Sequence, residues 1–250
     1  MVKLLHWLGM PENAAAHGAE IDHMNALVHW LMAILFVGWG IFFLYCLFRF
    51  RAKRNPRADY VGVKSHFSTW LEVGVAVIEA VLLIGFAFPI WAKVKTQLPS
   101  PEGAVEVRVV AEQFAWNIHY PGADGVFGKT DPTLVDTAAN PLGLDFDDPD
   151  AQDDIYTVNE LALPVDRTIM IRLSSKDVIH SFALPVMRVK QDAIPGMEIP
   201  VWFTPIRTGD WEIACAQLCG LGHYRMRGFL KILTQEGYDA WMAQQVADQL

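Results

Sequence analysis

Residues 215–226, CAQLCGLGHYRM, crowd Cys215, Cys219, His223 and Met226 into one short segment. Each of these side chains is a soft or borderline metal donor. Thiolate with imidazole and thioether selects copper; zinc uses Cys, His or carboxylate but not thioether, and its structural sites need a second matching pair that this sequence lacks. A Cys215–Cys219 disulfide is the competing reading, favoured in an oxidising compartment. Upstream, DVIHSFALPVMRVKQDAIPGM sets His180 between two strand-like runs. Copper sandwich proteins draw one His from an early strand end and the other ligands from a loop between their last strands. One Cys in such a loop makes a mononuclear site, so the second thiolate points to two coppers bridged by both sulfurs. Each copper then has one terminal His, with weak axial ligands from Met226 and a backbone carbonyl. An electron shared over such a pair changes each bond little, which suits electron transfer rather than bond-making.

These side chains need a sheet to hold them. Short alternating runs, VEVRVVA (105–111), FAWNIHY (114–120), RTIMIRL (167–173), IPVWF (199–203), DWEIACA (210–216) and GFLKIL (228–233), are separated by Pro, Gly and Asp signals. That pattern predicts an antiparallel β-sandwich or barrel. A last stretch, 236–250, has helical spacing. The segment 121–154, rich in Asp, Pro and Gly, is a long excursion of the functional or disordered kind.

The remainder is a different material. Asn25 to Phe48 contains no Asp, Glu, Lys or Arg, and at ~1.5 Å per residue it spans about 36 Å, enough for a hydrocarbon core. Trp70 to Trp91 is a second such run and carries Glu72 and Glu79. Core helices of soluble proteins rarely stay apolar on every face for so long. Between the runs, Arg49, Arg51, Lys53, Arg54, Arg57 and Lys64 face the single acid Asp59. Short basic loops stay cytoplasmic, which puts both termini outside. No basic stretch, apolar core and cleavage site open the chain as in a removable leader, so the first span is expected to serve as the insertion signal. The expected organisation is an exterior segment (1–24), a transmembrane hairpin (25–92) with its basic loop (49–68), and an exterior sandwich with a final helix (93–250).

The whole chain has 250 residues, a net charge of -8, 52% hydrophobic and 19% charged residues, and a mean hydropathy of +0.22. Disorder and nucleic-acid binding are excluded, the latter because an acidic chain repels phosphate. The acidity is local: residues 102–160 hold thirteen acids against Arg108 and Lys129. Three cysteines are too few for a disulfide scaffold, and Cys46, inside the first apolar run, reads as a small apolar residue.

On DVIHSF with Pro185, KQDAIPG and CAQLCGLGH with Met226, the chain resembles subunit II of haem-copper cytochrome c oxidase over about residues 25–235. The resemblance implies a membrane-anchored two-helix hairpin followed by a cupredoxin domain with a binuclear CuA centre. His180, Cys215, Cys219, His223 and Met226 would be its side-chain ligands and the Gln217 carbonyl its sixth group. It implies an oxidase of aa3 or caa3 type in a bacterial inner membrane. Electrons would come from a c-type cytochrome and pass to haem a in subunit I, with oxygen reduction, proton pumping and subunit III as a further partner. No C-x-x-C-H haem motif is present, so the donor is expected to be a separate polypeptide and haem to reside only in partners.

Three positions depart from the family pattern. Gln217 stands where many relatives have Glu that also binds magnesium at the subunit I border, and an amide brings no charge to that ion. Phe114 replaces the Trp through which electrons would enter; Trp116 lies two positions on, and sheet core is the equal alternative for both. Glu79 aligns with a usual Pro and is expected to face protein, because a carboxyl group in a bilayer is costly. Glu72 aligns with the glutamate at the mouth of the K proton pathway, with an interfacial acid as the alternative. His29, His66 and His119 have no companion at ligand spacing and read as core or surface residues. The acidic exterior offers a docking surface to a basic cytochrome c, against the plainer reading of the 145–154 acids as a solvated loop. Two other functions use similar parts: a membrane-anchored copper-delivery or thiol-redox factor, which His223 and Met226 disfavour, and a copper-free quinol oxidase subunit, which the ligand set disfavours.

Overall fold

The computed structural model describes residues 1–57, 60–62 and 64–249, so Asp59 and Leu250 lie outside the described residues. The chain forms two compact units, residues 1–10 with 20–96, and residues 11–19 with 97–250. The first holds α1 (Val2–Trp7), most of α2 (Gly18–Arg49), α3 (Phe67–Leu82) and α4 (Phe88–Lys95), the last two joined through a π-helical turn at Leu83–Ala87. That turn ends two residues before Pro89, whose missing N–H and ring cannot fit a regular α-helical ladder. Gly18–Arg49 and Phe67–Lys95 are each long and apolar enough to cross a membrane, and their most apolar windows bury nothing within the chain. They contain the spans expected at 25–48 and 70–91.

The second unit is a β-sandwich. One sheet orders β3 (Ile155–Val158), β2 (Ala115–Tyr120), β1 (Val105–Glu112), β5 (Ile169–Ser175) and β8 (Ile199–Phe203). The other orders β4 (Glu160–Pro164), β10 (Arg227–Leu233), β9 (Gly209–Cys215), β6 (His180–Leu184) and β7 (Val189–Ala193). Pairing is antiparallel as expected except at β1–β5 and β10–β4, which are parallel. In each case the chain crosses to the opposite sheet before returning, so it re-enters in the same direction. Alternate residues meet between the sheets: Val107, Val109, Trp116, Ile118, Ile169 and Ile171 from one, Leu161, Leu163, Phe182, Ile213 and Leu230 from the other, all fully buried.

The segment 121–154 is folded over the outer face of the first sheet. His119 Nε2 meets Asp154 Oδ2 at 2.7 Å, buried on both sides, and the Arg108 guanidinium lies 4.2 Å from the Phe127 ring centre. Its acids shape its own turns: Asp131 accepts from the Thr133 hydroxyl and N–H, Asp136 from the N–H groups of Ala139 and Ala138, Asp148 from Lys129, and Asp153 from Ala123 and Asp124. These bonds favour the charged form and hold Asp131, Asp136 and Asp148 below the ordinary carboxylate value.

Residues 11–19 form a strap on the sandwich. The Ala14 N–H donates to the Val186 carbonyl (2.8 Å), Ala16 to Thr204 (3.0 Å), and Ile206 to the Ala14 carbonyl (2.9 Å). Ala14 and Ala15 are fully buried, leaving no room for a larger side chain. Glu12 accepts from Arg207 (2.8 Å) and the Trp211 indole (3.3 Å). At the other end of the chain, α5 (Gln235–Gln249) sets Trp241 edge-on against Tyr120.

Candidate metal centre

Three elements bring the sulfur and nitrogen donors together. β6 pairs with β9 at Phe182–Cys215 and Ala183–Ala214, which sets His180, at the start of β6, beside Cys215, at the end of β9. The connection 216–226 then folds back on itself, closed by the Cys215 N–H on the Met226 carbonyl (3.3 Å), while the Ala216 N–H reaches Ser181 (2.9 Å).

The resulting cluster is close. The Cys215 and Cys219 sulfurs are 3.8 Å apart and unbonded. His180 Nδ1 lies 4.0 Å from the Cys215 sulfur and 3.2 Å from the Met226 sulfur. His223 Nδ1 lies 3.6 Å from Cys219 on the other side. Met226 is 3.8 Å from Cys219, and the Gln217 carbonyl is 3.2 Å from Cys215. His180, Cys215 and Cys219 alone already form a group that could hold a metal ion. Sulfur with imidazole and thioether, almost free of carboxylate, fits copper far better than a hard cation.

Electrostatics explain why such a site wants a cation. Burial, with the neighbouring Cys215 adding to it, pushes the Cys219 thiol up to about 11. Asp177 holds His180 from behind, Oδ1 to Nε2 at 2.8 Å. A carboxylate can only accept, so it fixes Nε2 as the protonated nitrogen and leaves the Nδ1 lone pair toward the sulfurs. Burial by itself would raise the Asp177 carboxyl, but His180 and the N–H groups of Gln113 and Val178 outweigh it and hold it below its ordinary value.

The other expected residues fall in different places. Phe114 sits just before β2, half-buried, with its ring against the metal loop: a Cβ on Gly222 would stand 2.4 Å from Phe114 Cδ2. Trp116 is fully buried, its ring 6.3 Å from the His180 ring in an edge-on arrangement. The Gln217 side chain is exposed, as are Leu218, Leu221 and Tyr224, which rim the loop with apolar surface. Glu72 and Glu79 are both exposed on α3, in the other unit. Sequence reasoning missed Gln113 and Asp177; the Asp three residues before His180 was the available signal.

A family model described as cytochrome c oxidase subunit II, periplasmic domain, matches residues 105–232. The alternative cytochrome c oxidase subunit 2 of Bradyrhizobium diazoefficiens is 36% identical over 233 residues, covering 92% of this chain and 82% of that protein. The cytochrome c oxidase subunit 2 of Cereibacter sphaeroides is 27% identical over 251 residues, covering 94% and 79%. Among solved structures, the periplasmic domain of cytochrome oxidase subunit II of Bradyrhizobium japonicum is 26% identical with a TM-score of 0.45, covering 62% of this chain and 100% of that one.

Proposed function

Since the chain belongs to the cytochrome c oxidase subunit II family, we propose that it is the electron-accepting subunit of a proton-pumping oxidase of aa3 or caa3 type in a bacterial inner membrane. The observation that carries this reading is the convergence of two sulfurs 3.8 Å apart with an imidazole flanking each. Two copper ions held by Cys215, Cys219, His180 and His223, with Met226 and the Gln217 carbonyl completing the ligand set, would supply a one-electron carrier.

The chain's own residues orient and shield that carrier. Asp177 keeps His180 in one tautomer, and the buried Trp116 and Phe182 rings back the site with apolar surface. Phe114, half-buried against the loop, and Trp116, edge-on to His180, are the candidates through which an electron from a separate c-type cytochrome enters. The apolar rim of Leu218, Leu221 and Tyr224 suits burial against subunit I, where haem a receives the electron. Gln217 would offer a border magnesium ion only a neutral amide oxygen, which weakens the case for that second metal. Glu72 is the proton-pathway candidate, and Glu79, exposed in the isolated chain, faces protein rather than lipid in the assembled oxidase. The basic loop 49–68 lies in the cytoplasm and the copper domain outside.

Electron paramagnetic resonance of the copper-loaded full chain tests the reading. One unpaired electron split by two equivalent copper nuclei is the expected spectrum; a mononuclear pattern, or no copper uptake, overturns it.

A further inference from the structure

The strand pairing β6–β9 holds only one end of the metal centre. It anchors Cys215 and His180, because both sit at the ends of paired strands. Cys219, in the middle of the 216–226 connection, has no strand of its own and would swing with the loop. A residue outside the ligand set ties it down. Gln113, in the turn between β1 and β2, donates from its side-chain Nε2 to the Cys219 carbonyl at 2.6 Å. Its backbone N–H donates to Asp177 Oδ2 at 2.7 Å, and Asp177 Oδ1 holds the His180 ring at 2.8 Å. A continuous run of hydrogen bonds therefore links His180 to Cys219 around the side of the centre that the strand ladder leaves open. Glycine at 220 is part of the arrangement: a Cβ there would stand 2.7 Å from Gln113 Nε2.

We propose that Gln113 and Asp177 are positioning residues that brace the two arms of the copper pair against each other, holding His180 and Cys219 at a fixed separation. The inference rests on the copper reading above. It gives the brace a purpose: ligands that cannot relax between two oxidation states keep electron transfer fast, whereas a loose Cys219 arm lets the two coppers become unequal.

The experiment compares the full chain with Gln113→Glu and Asp177→Asn, each loaded with copper ions. Gln113→Glu keeps the length and the backbone N–H but opposes an acceptor to the Cys219 carbonyl. Asp177→Asn keeps the shape, but its single oxygen cannot serve both the Gln113 N–H on one side and the His180 ring and Val178 N–H on the other. Both variants are expected to bind copper about 10-fold more weakly, the lower end of what outer-shell partners contribute. Their copper hyperfine splittings should become unequal and their midpoint potentials should move. A purely structural tie would instead lower the unfolding temperature of the metal-free chain and leave the spectrum and potential of the loaded chain as in wild type; that result, or no change at all, overturns the brace. If Gln113→Glu does not fold, Gln113→Leu, which removes the donor without adding charge, is judged by the same three readouts. A wild-type chain that shows no shared copper pair refutes the copper reading itself, an outcome visible before any variant is made.

Discussion

Cys219 carries the sharpest chemical tension in the molecule. Its thiol is buried beside a second thiol and titrates near 11 instead of near 9, so at neutral pH the metal-free chain holds a proton there that any thiophilic cation must displace. Copper uptake at pH 7 should therefore release that proton, seen as a buffer-dependent heat in calorimetry; a heat independent of the buffer's ionisation enthalpy contradicts it. The same shift has a stability consequence. The folded state holds this proton more tightly than the unfolded chain, so its contribution is complete below about pH 9 and is lost as pH rises toward about 11. Metal-free protein should accordingly melt at lower temperature across that alkaline window, and Cys219→Ala should flatten the slope. Gly222 is the second residue under constraint. An added methyl would stand 2.4 Å from the Phe114 ring, so Gly222→Ala should cost about 1–3 kcal/mol in thermal unfolding. In a Phe114→Ala background the same change should cost much less, and equal costs in both backgrounds would show that the two residues do not meet.

At the scale of elements, the segment over the first sheet behaves as a clasped flap whose clasp is Asp154. That carboxylate accepts from His119 (2.7 Å) and from the Gly128 N–H (2.7 Å), all out of water. Asp154→Ala strands both donors and should destabilise the sandwich by about 2–4 kcal/mol. Hydrogen exchange should accelerate first across 123–153, and uniform acceleration would mean the clasp is not local. What the sequence made legible follows from range. Cys215, Cys219, His223 and Met226 lie within one loop, and soft donors in one loop are readable without any fold. The apolar helices are equally readable, because lipid asks only for length and composition. Gln113 was not, since its partners Asp177 and Cys219 are remote in sequence and the contact exists only once two sheets have closed. β6 is absent from the alternating runs because HSFAL is buried throughout and shows no alternation. The Asp-rich segment read as surface charge, yet Asp131 and Asp136 are spent on backbone N–H groups two residues on, a use the Asp-x-Thr and Asp-x-Ala spacings permit, while Asp148 and Asp153 accept from Lys129 and Ala123, remote in sequence.

For the molecule as a whole, charge is the property that reaches furthest. Exposed acids without a structural bond, Asp147 and Asp150 among them, remain to attract a basic partner. Association of the assembled oxidase with a basic c-type cytochrome should slow on the order of 10-fold between low salt and about 0.15 M ionic strength. Asp147→Asn with Asp150→Asn should shrink that salt dependence in stopped-flow measurements while leaving the unfolding temperature unaltered, and an unchanged slope would place docking elsewhere. The strap of residues 11–19 imposes something of another kind on the molecule: an order of events. Ala14 and Ala16 leave the ribosome before either apolar helix, while their acceptors on Val186 and Thr204, and the Ile206 N–H that Ala14 accepts, emerge near the end of synthesis. At roughly 5–20 residues per second that interval is on the order of ten to forty seconds. Throughout it the strap waits for a sandwich still being made, so these pairings can close only after both apolar helices and nearly all the strands have been synthesised.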